Sequence, residues 1–204
     1  MMLVEETAPP QEALPVAGLR GQLRLGTGFD LAEDAAEEAA LAGFLRAAIA
    51  TVEARTGKVL LRRQFRMRIE GWRDASAQPL PLAPVQSVDA MEVEDGRGGV
   101  TAVDPGRWRL VADPQRPLLV PVGGMLPYVP RNGFVTIRFT AGFAEDWAGV
   151  PADLAQAVLM LAARHYEDRG GGGDARQALP FGVAALLERW RAVRLLAGRG
   201  RGRG

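Results

Sequence analysis

The stretch VEARTGKVLLRRQFRMRIEG, Val52 to Gly71, changes its period halfway along. Upstream of it Leu41, Phe44, Leu45, Ala48, Ile49 and Val52 recur at three- and four-residue intervals, the spacing of one helix face. Gly57 interrupts that pattern and supplies a helix stop. From Val59 the period becomes two: Phe65, Met67 and Ile69 point one way, and Arg66, Arg68 and Glu70 the other, as in a half-buried strand. A helix from about Leu31 to Arg55 thus hands over to β structure within a few residues. Asp30 and Glu33 form a capping box at its start, and Glu33, Asp34, Glu37 and Glu38 complement the positive end of its dipole.

Further strands are expected over Val85–Glu94, Gly99–Val103, Trp108–Val111, Leu118–Val120 and Phe134–Thr140, separated by the turn-forming DGRGG, DPG, DPQRP and PRNG. Residues 59–142 therefore read as an antiparallel region built from hairpins. Helical spacing returns in VPADLAQAVLMLAARHYEDR, where Leu154, Val158, Leu161 and His165 share a face. A last helix is expected from about Phe181 to Leu196, with Val183, Leu186, Leu187, Trp190 and Val193 inward. Helices, then hairpins, then helices argue an α+β fold rather than an alternating parallel sheet. The expected organisation is an extended, proline-bearing arm over residues 1–15, a domain over 16–196 opening with a short helix near Val16–Leu25, and a flexible tail over 197–204.

That tail reads AGRGRGRG, with Gly198, Gly200 and Gly202 alternating with Arg199, Arg201 and Arg203. The formal charge of the whole chain is +1, so the remainder without those three arginines carries a net −2. The body is thus mildly acidic and the tail is concentrated positive charge, a balance unlike that of a general nucleic-acid binder. There is no cysteine, which excludes disulfides, thiolate metal sites and cysteine nucleophiles. Glu5 and Glu6 stand where a signal peptide needs positive charge, and no run approaches the roughly 18 apolar residues of a membrane span. Neither export by that route nor membrane association is expected.

Catalytic chemistry needs particular atoms at particular spacings, and the usual patterns are missing. The chain has no G-x-S-x-G elbow, phosphate-binding G-x-x-x-x-G-K-[ST] loop or H-E-x-x-H helix. His165 is the single histidine, so one chain holds neither a Ser-His-Asp triad nor an imidazole-rich metal site. Glu145 and Asp146 form a conceivable acid/base pair, but neighbouring acids in a turn are the ordinary explanation. GGGGD, Gly170–Asp174, follows a helix where phosphate cradles precede one, and so reads as a connector. The four tryptophans are scattered with no basic interleaving and read as core. No cofactor, metal or catalytic residue is expected.

Several landmarks fall in a recognisable order: VEARTGKVL (Val52–Leu60), PLAPVQSV (Pro81–Val88), VTIRFTAGF (Val135–Phe143), VPADLAQAVLMLAARHYEDR (Val150–Arg169) and ALPFGVAALLERWR (Ala178–Arg191). The ordered set resembles the head-tail connector, or adaptor, proteins of long-tailed phages and phage-like gene transfer agents, over about Leu14 to Arg194. The resemblance implies a non-enzymatic structural role in the particle neck, after assembly in the bacterial cytoplasm. It also implies a homo-oligomeric ring, commonly dodecameric, that binds the portal protein on one side and a stopper or tail-terminator protein on the other, around a channel for double-stranded DNA.

Two surfaces acquire candidate roles from that resemblance. Gly198, Arg199, Gly200, Arg201, Gly202 and Arg203 would dock on portal carboxylates, ordering on assembly. The competing readings are a repeated weak contact with DNA phosphates, as in a DNA-binding accessory protein, or an idle extension. Asp30, Glu33, Asp34, Glu37 and Glu38 would face the channel and repel the DNA backbone, with helix-dipole complementarity as the plain alternative. A hydrolase completed between subunits is the remaining class, and nothing in the sequence foreshadows it.

Overall fold

A computed structural model describes residues 1–26, 31–170 and 179–191. The elements that open the chain are β1 (Met2–Glu5), α1 (Val16–Leu23) and the 26-residue α2 (Leu31–Thr56). The β region comprises β2 (Arg63–Ile69), β3 (Gln78–Pro79), β4 (Val85–Glu94), β5 (Val100–Ala102), β6 (Trp108–Val111), β7 (Leu118–Pro121) and β8 (Phe134–Ala141). It is followed by α3 (Ala152–Glu167) and α4 (Phe181–Leu187). The strands form an antiparallel five-stranded sheet in the order β1-β2-β8-β4-β5 and a three-stranded sheet β3-β7-β6. The fold is α+β, as the change of period required.

Two apolar clusters make the interior. In the first, Leu41, Leu45, Ala48, Ile49 and Val52 of α2 meet Leu154, Val158 and Leu161 of α3, with Leu19 of α1 and Val183 and Leu187 of α4 closing the sides. In the second, the inward residues of β2 and β8 are paired by register: Phe65 lies opposite Phe139, Met67 opposite Ile137, and Ile69 opposite Val135. A slip of one residue would turn this whole set to solvent, so the alternation fixes the register. Beside them, Val85, Val88 and Met91 of β4 are all buried although three residues apart, which a regular strand does not allow. Register shifts between Val85 and Ser87 and between Val88 and Ala90 reset the strand so that each faces inward.

On the outer face of that sheet, Arg66 lies directly opposite Arg138, a like-charge pair that would destabilise the ladder on its own. Carboxylates resolve it. Glu6 reaches Arg66 at 3.1 Å and Arg138 at 3.9 Å, Glu92 reaches Arg138 at 3.0 Å, and Glu94 reaches Arg68 at 2.7 Å. Arg68 also lies 3.9 Å over the ring of Phe134. The arginines that alternate along β2 are therefore neutralised by their own sheet.

The two clusters meet just after α2. Gly57 takes a left-handed φ of 68° and its N–H bonds to the Glu53 carbonyl, ending the helix. The Glu53 carboxylate then receives the Leu60 N–H at 2.8 Å and the Arg63 guanidinium at 2.6 Å, while Arg63 also reaches Glu5 of β1 at 3.3 Å. Across the junction, Gly142 has φ 134°, and a Cβ there would lie 2.5 Å from the Arg62 Cα, so backbone approach permits only glycine. Lys58, the single lysine, is 1% exposed and donates from Nζ to the Pro114 carbonyl at 2.8 Å. Burial pulls its pKa below the ordinary value, and Asp113 opposes that shift.

The last helix departs from the expected Phe181–Leu196. α4 ends at Leu187, a 3-10 turn covers Glu188–Trp190, and Arg191 is extended, with φ −64° and ψ 131°. The rest of the expected helix, residues 192–196, lies outside the described residues; within them, Arg189 and Trp190 are bound by Asp153 of α3. Two strands lacked a sequence signal: β1, a short apolar run beside acids and prolines, and the two-residue β3.

The Glu53–Arg63 pair generates a prediction. Glu53→Ala strands a buried guanidinium and should cost about 3–5 kcal/mol in urea unfolding, whereas Glu53→Leu combined with Arg63→Met should recover most of that loss. Burial raises the Glu53 carboxyl above its usual 4.5, against the lowering pull of Arg63. The folded chain thus keeps this proton at a pH where the unfolded chain has released it. Wild type should gain stability relative to Glu53→Gln as pH falls toward 4.5.

Candidate assembly surfaces

The acidic start of α2 is collected by one arginine. Arg20 of α1 reaches Asp34 at 3.4 Å, Glu37 at 3.2 Å and Glu38 at 4.0 Å, and donates to the Gly26 carbonyl at 3.1 Å. Asp34 and Glu38 also line a groove of about 640 Å³ with Gln11, Glu12 and Leu14. Asp30 and the Glu33 side chain lie outside the described residues, so the expected capping box does too. The acids remain partly exposed, Glu38 at 57%, and so present negative charge while tying α1 to α2. Sequence reading did not find Arg20, because fourteen residues separate it from Asp34 and no local pattern joins them.

The C-terminal tail, Gly198 to Arg203, also lies outside the described residues, as do residues 192–197 before it. Asp153 Oδ2 accepts from the Trp190 indole N–H at 2.6 Å and pairs with Arg189 Nε at 2.6 Å. Trp190 meets Phe143 edge to face, with ring centroids 5.4 Å apart. This end of the helical bundle is distant from the acids. α2 and α3 run antiparallel, since Phe44 packs on Tyr166 while the end of α2 is joined through Leu60 to Phe143, beside the start of α3. At 1.5 Å per residue, Glu38 and Glu53 are separated by about 22 Å of helix.

A third surface is apolar. Val122, Met125 and Tyr128 are 55%, 67% and 81% exposed in the loop that follows β7. The loop is nonetheless anchored: Leu126 is buried and its N–H bonds to the Ala75 carbonyl, and the Trp72 indole donates to the Pro127 carbonyl at 2.7 Å. Sequence reading treated this stretch only as a link between strands, because exposed and buried apolar residues look alike in one dimension.

The residues weighed for catalysis are separated. Glu145 pairs with Arg62 at 2.6 Å, while Asp146 accepts from the Gly149 N–H at 3.2 Å and caps a short 3-10 turn. His165 is half-buried in the last turn of α3. Among the described residues, no group of three or more His, Asp or Glu side chains is arranged to hold a metal ion, and no helix is long and apolar enough to cross a membrane.

No protein-family model matches the chain, and neither does any curated protein. Solved structures do. The chain is 52% identical, with a TM-score of 0.86, to a protein in the neck of an empty gene transfer agent (GTA) particle computed with C6 symmetry, covering 98% of this chain and all of that one. It is 53% identical, with a TM-score of 0.83, to a chain in the virion of a native GTA particle, at the same coverage. A third match, 49% identical with a TM-score of 0.81 and again 98% and 100% covered, is from the neck of a native GTA particle computed with C12 symmetry. Agreement in sequence and fold over essentially the whole length defines a particle-neck protein of the connector class. The chain belongs to the head-tail connector family found in the necks of gene transfer agent particles.

The anchored loop generates the prediction here. Leu126→Ala should cost about 2–5 kcal/mol of unfolding free energy, because it empties a buried site. Tyr128→Ala and Met125→Ala should stay within about 0.5 kcal/mol of wild type in the isolated chain, since neither side chain is buried in it.

Proposed function

We propose that this chain is a non-enzymatic adaptor that forms a ring in the particle neck and joins the capsid portal to the stopper or tail-terminator protein. The observation that carries this reading is the full-length likeness to neck proteins from particles computed with C6 and C12 symmetry. A ring of twelve satisfies both symmetries. Such a ring needs heterologous contacts, in which one surface of each copy meets a different surface of the next.

The polarity of the protomer suits a connector. At one end lie the acids Asp34, Glu37 and Glu38, and at the other Trp190, which precedes the arginine tail in sequence. In this proposal the tail extends to the portal, where Arg199, Arg201 and Arg203 pair with carboxylates. The acids, repeated around the ring, keep the channel wall negative so that DNA slides past it without adhering. Glu37→Lys with Glu38→Lys should then slow DNA passage in otherwise intact particles, and normal transfer by such particles would remove the channel assignment.

Co-sedimentation with portal rings tests the main reading, using the full chain and a version ending at Ala197, at low and high salt. The full chain should bind, and the shortened chain should bind more weakly, with the difference shrinking as salt rises. Salt-sensitive binding to duplex DNA that is lost with the tail, together with no binding to the portal, would favour a DNA-binding accessory protein instead.

A further inference from the structure

We infer that the two open edges of the five-stranded sheet are the contact between neighbouring copies: β1 of one copy lies beside β5 of the next, in parallel. The inference rests on the proposed ring and names the surfaces that close it.

The order β1-β2-β8-β4-β5 leaves β1 and β5 on opposite edges, as a contact between two different surfaces of one chain requires. Native edges are commonly guarded by charge or proline, as Pro79 guards β3 at the edge of the smaller sheet. β5 consists of Val100, Thr101 and Ala102, all exposed, and has no such guard. Met2 on β1 is 48% exposed, and Val100 on β5 is 61% exposed. Met2 lies opposite Arg68 and Val100 opposite Glu94, so both belong to the outer face of the sheet. Arg68 and Glu94 are themselves paired, which places Met2 and Val100 at the same end.

Backbone phase gives the contact its sense. The Glu6 N–H bonds to the Gln64 carbonyl, so the even-numbered residues of β1 turn their backbone groups to β2, and those of Leu3 and Glu5 point out of the sheet. The Val103 N–H bonds to the Met91 carbonyl, so Val100 and Ala102 are the outward-pointing residues of β5. The Leu3 side chain is on the inner face, opposite Met67, whereas Val100 and Ala102 are on the outer face. An antiparallel pairing sets outward residue against outward residue, and so would join the inner face of one copy to the outer face of the next. A parallel pairing sets each outward residue against one whose groups point away, and keeps the faces continuous. Ring symmetry makes the same demand. Four antiparallel steps leave β1 and β5 running in the same direction, and a rotation about the ring axis keeps that sense along the axis.

In this pairing Leu3 sits opposite Thr101 of the next copy, donates to the Val100 carbonyl and accepts from the Ala102 N–H. Met2 and Val4 then lie beside Val100 and Ala102 on the outer face. Edges of four and three residues are far smaller than the roughly 1,200 Å² of total surface buried in a stable pair. Two free copies therefore stay apart, and the contact gains strength by repetition around a closed ring.

The test uses the absence of cysteine, which leaves introduced thiols without competitors. Particles are assembled on a Met2→Cys, Val100→Cys double variant in place of wild type, treated with a short bis-maleimide and resolved by denaturing electrophoresis, while their necks are imaged by electron microscopy. The inference expects a ladder of multimers from the double variant and none from either single variant. Ala102→Pro removes an outward donor and no bond to β4, so it should unfold like wild type yet assemble roughly fivefold less efficiently. Val100→Lys, which places a guard on the edge, should act in the same direction and covers the case in which proline disturbs β5. Rings visible in the necks without a ladder would overturn this contact and leave the ring standing, as would unchanged assembly by both edge variants. Dimers from a single variant would show a two-fold contact and overturn the inference. Necks without rings, in wild type as in the variants, would overturn the ring and this contact together.

Discussion

The buried contact between Glu53 and Arg63 is the constraint on which the rest of the architecture hangs. It joins the last turn of the long helix to the first residue of β2, and through Glu5 it also holds the N-terminal strand. Each charge is costly to bury alone, so the pair is satisfied only when helix, sheet and strand are all in place. The contact thus lies where the two apolar clusters meet and ties them together. Leu60, whose N–H is bound by Glu53, is also linked to Phe143, and Phe143 supports Trp190. Trp190, next to the last described residue, is thereby tied to the same junction.

A connector needs a rigid body, and the distribution of interactions supplies one. The interior is apolar and closely paired, with inward residues opposite inward residues across β2 and β8. On the outer face of the sheet Arg66, Arg68 and Arg138 are paired with Glu6, Glu94 and Glu92. The folded body exposes the acids at the start of α2 and, in the anchored loop, Met125 and Tyr128.

Much of this was legible in the sequence because it depends on period. The change from helical to alternate spacing at Gly57, the inward set of α2 and the alternation of β2 all appear in the structure as read. What was not legible depends on partners distant in sequence. β4 buries residues three apart only because two register shifts intervene. β1 exists because β2 offers it an edge. The last helix stops at Leu187, and the Trp190 side chain beyond it binds Asp153, 37 residues upstream. For the surfaces, the acids of α2 were visible as a cluster, but Arg20, Asp153 and the outward set of the loop after β7 had no local signature. The tail itself was conspicuous in sequence and lies outside the described residues.

The central claim is that this chain joins heads to tails. It is tested most directly by electron microscopy of particles assembled without it. The account predicts DNA-containing heads and separate tails that fail to join, with tailed particles restored when the chain is supplied again. Normal numbers of intact tailed particles in its absence would contradict it.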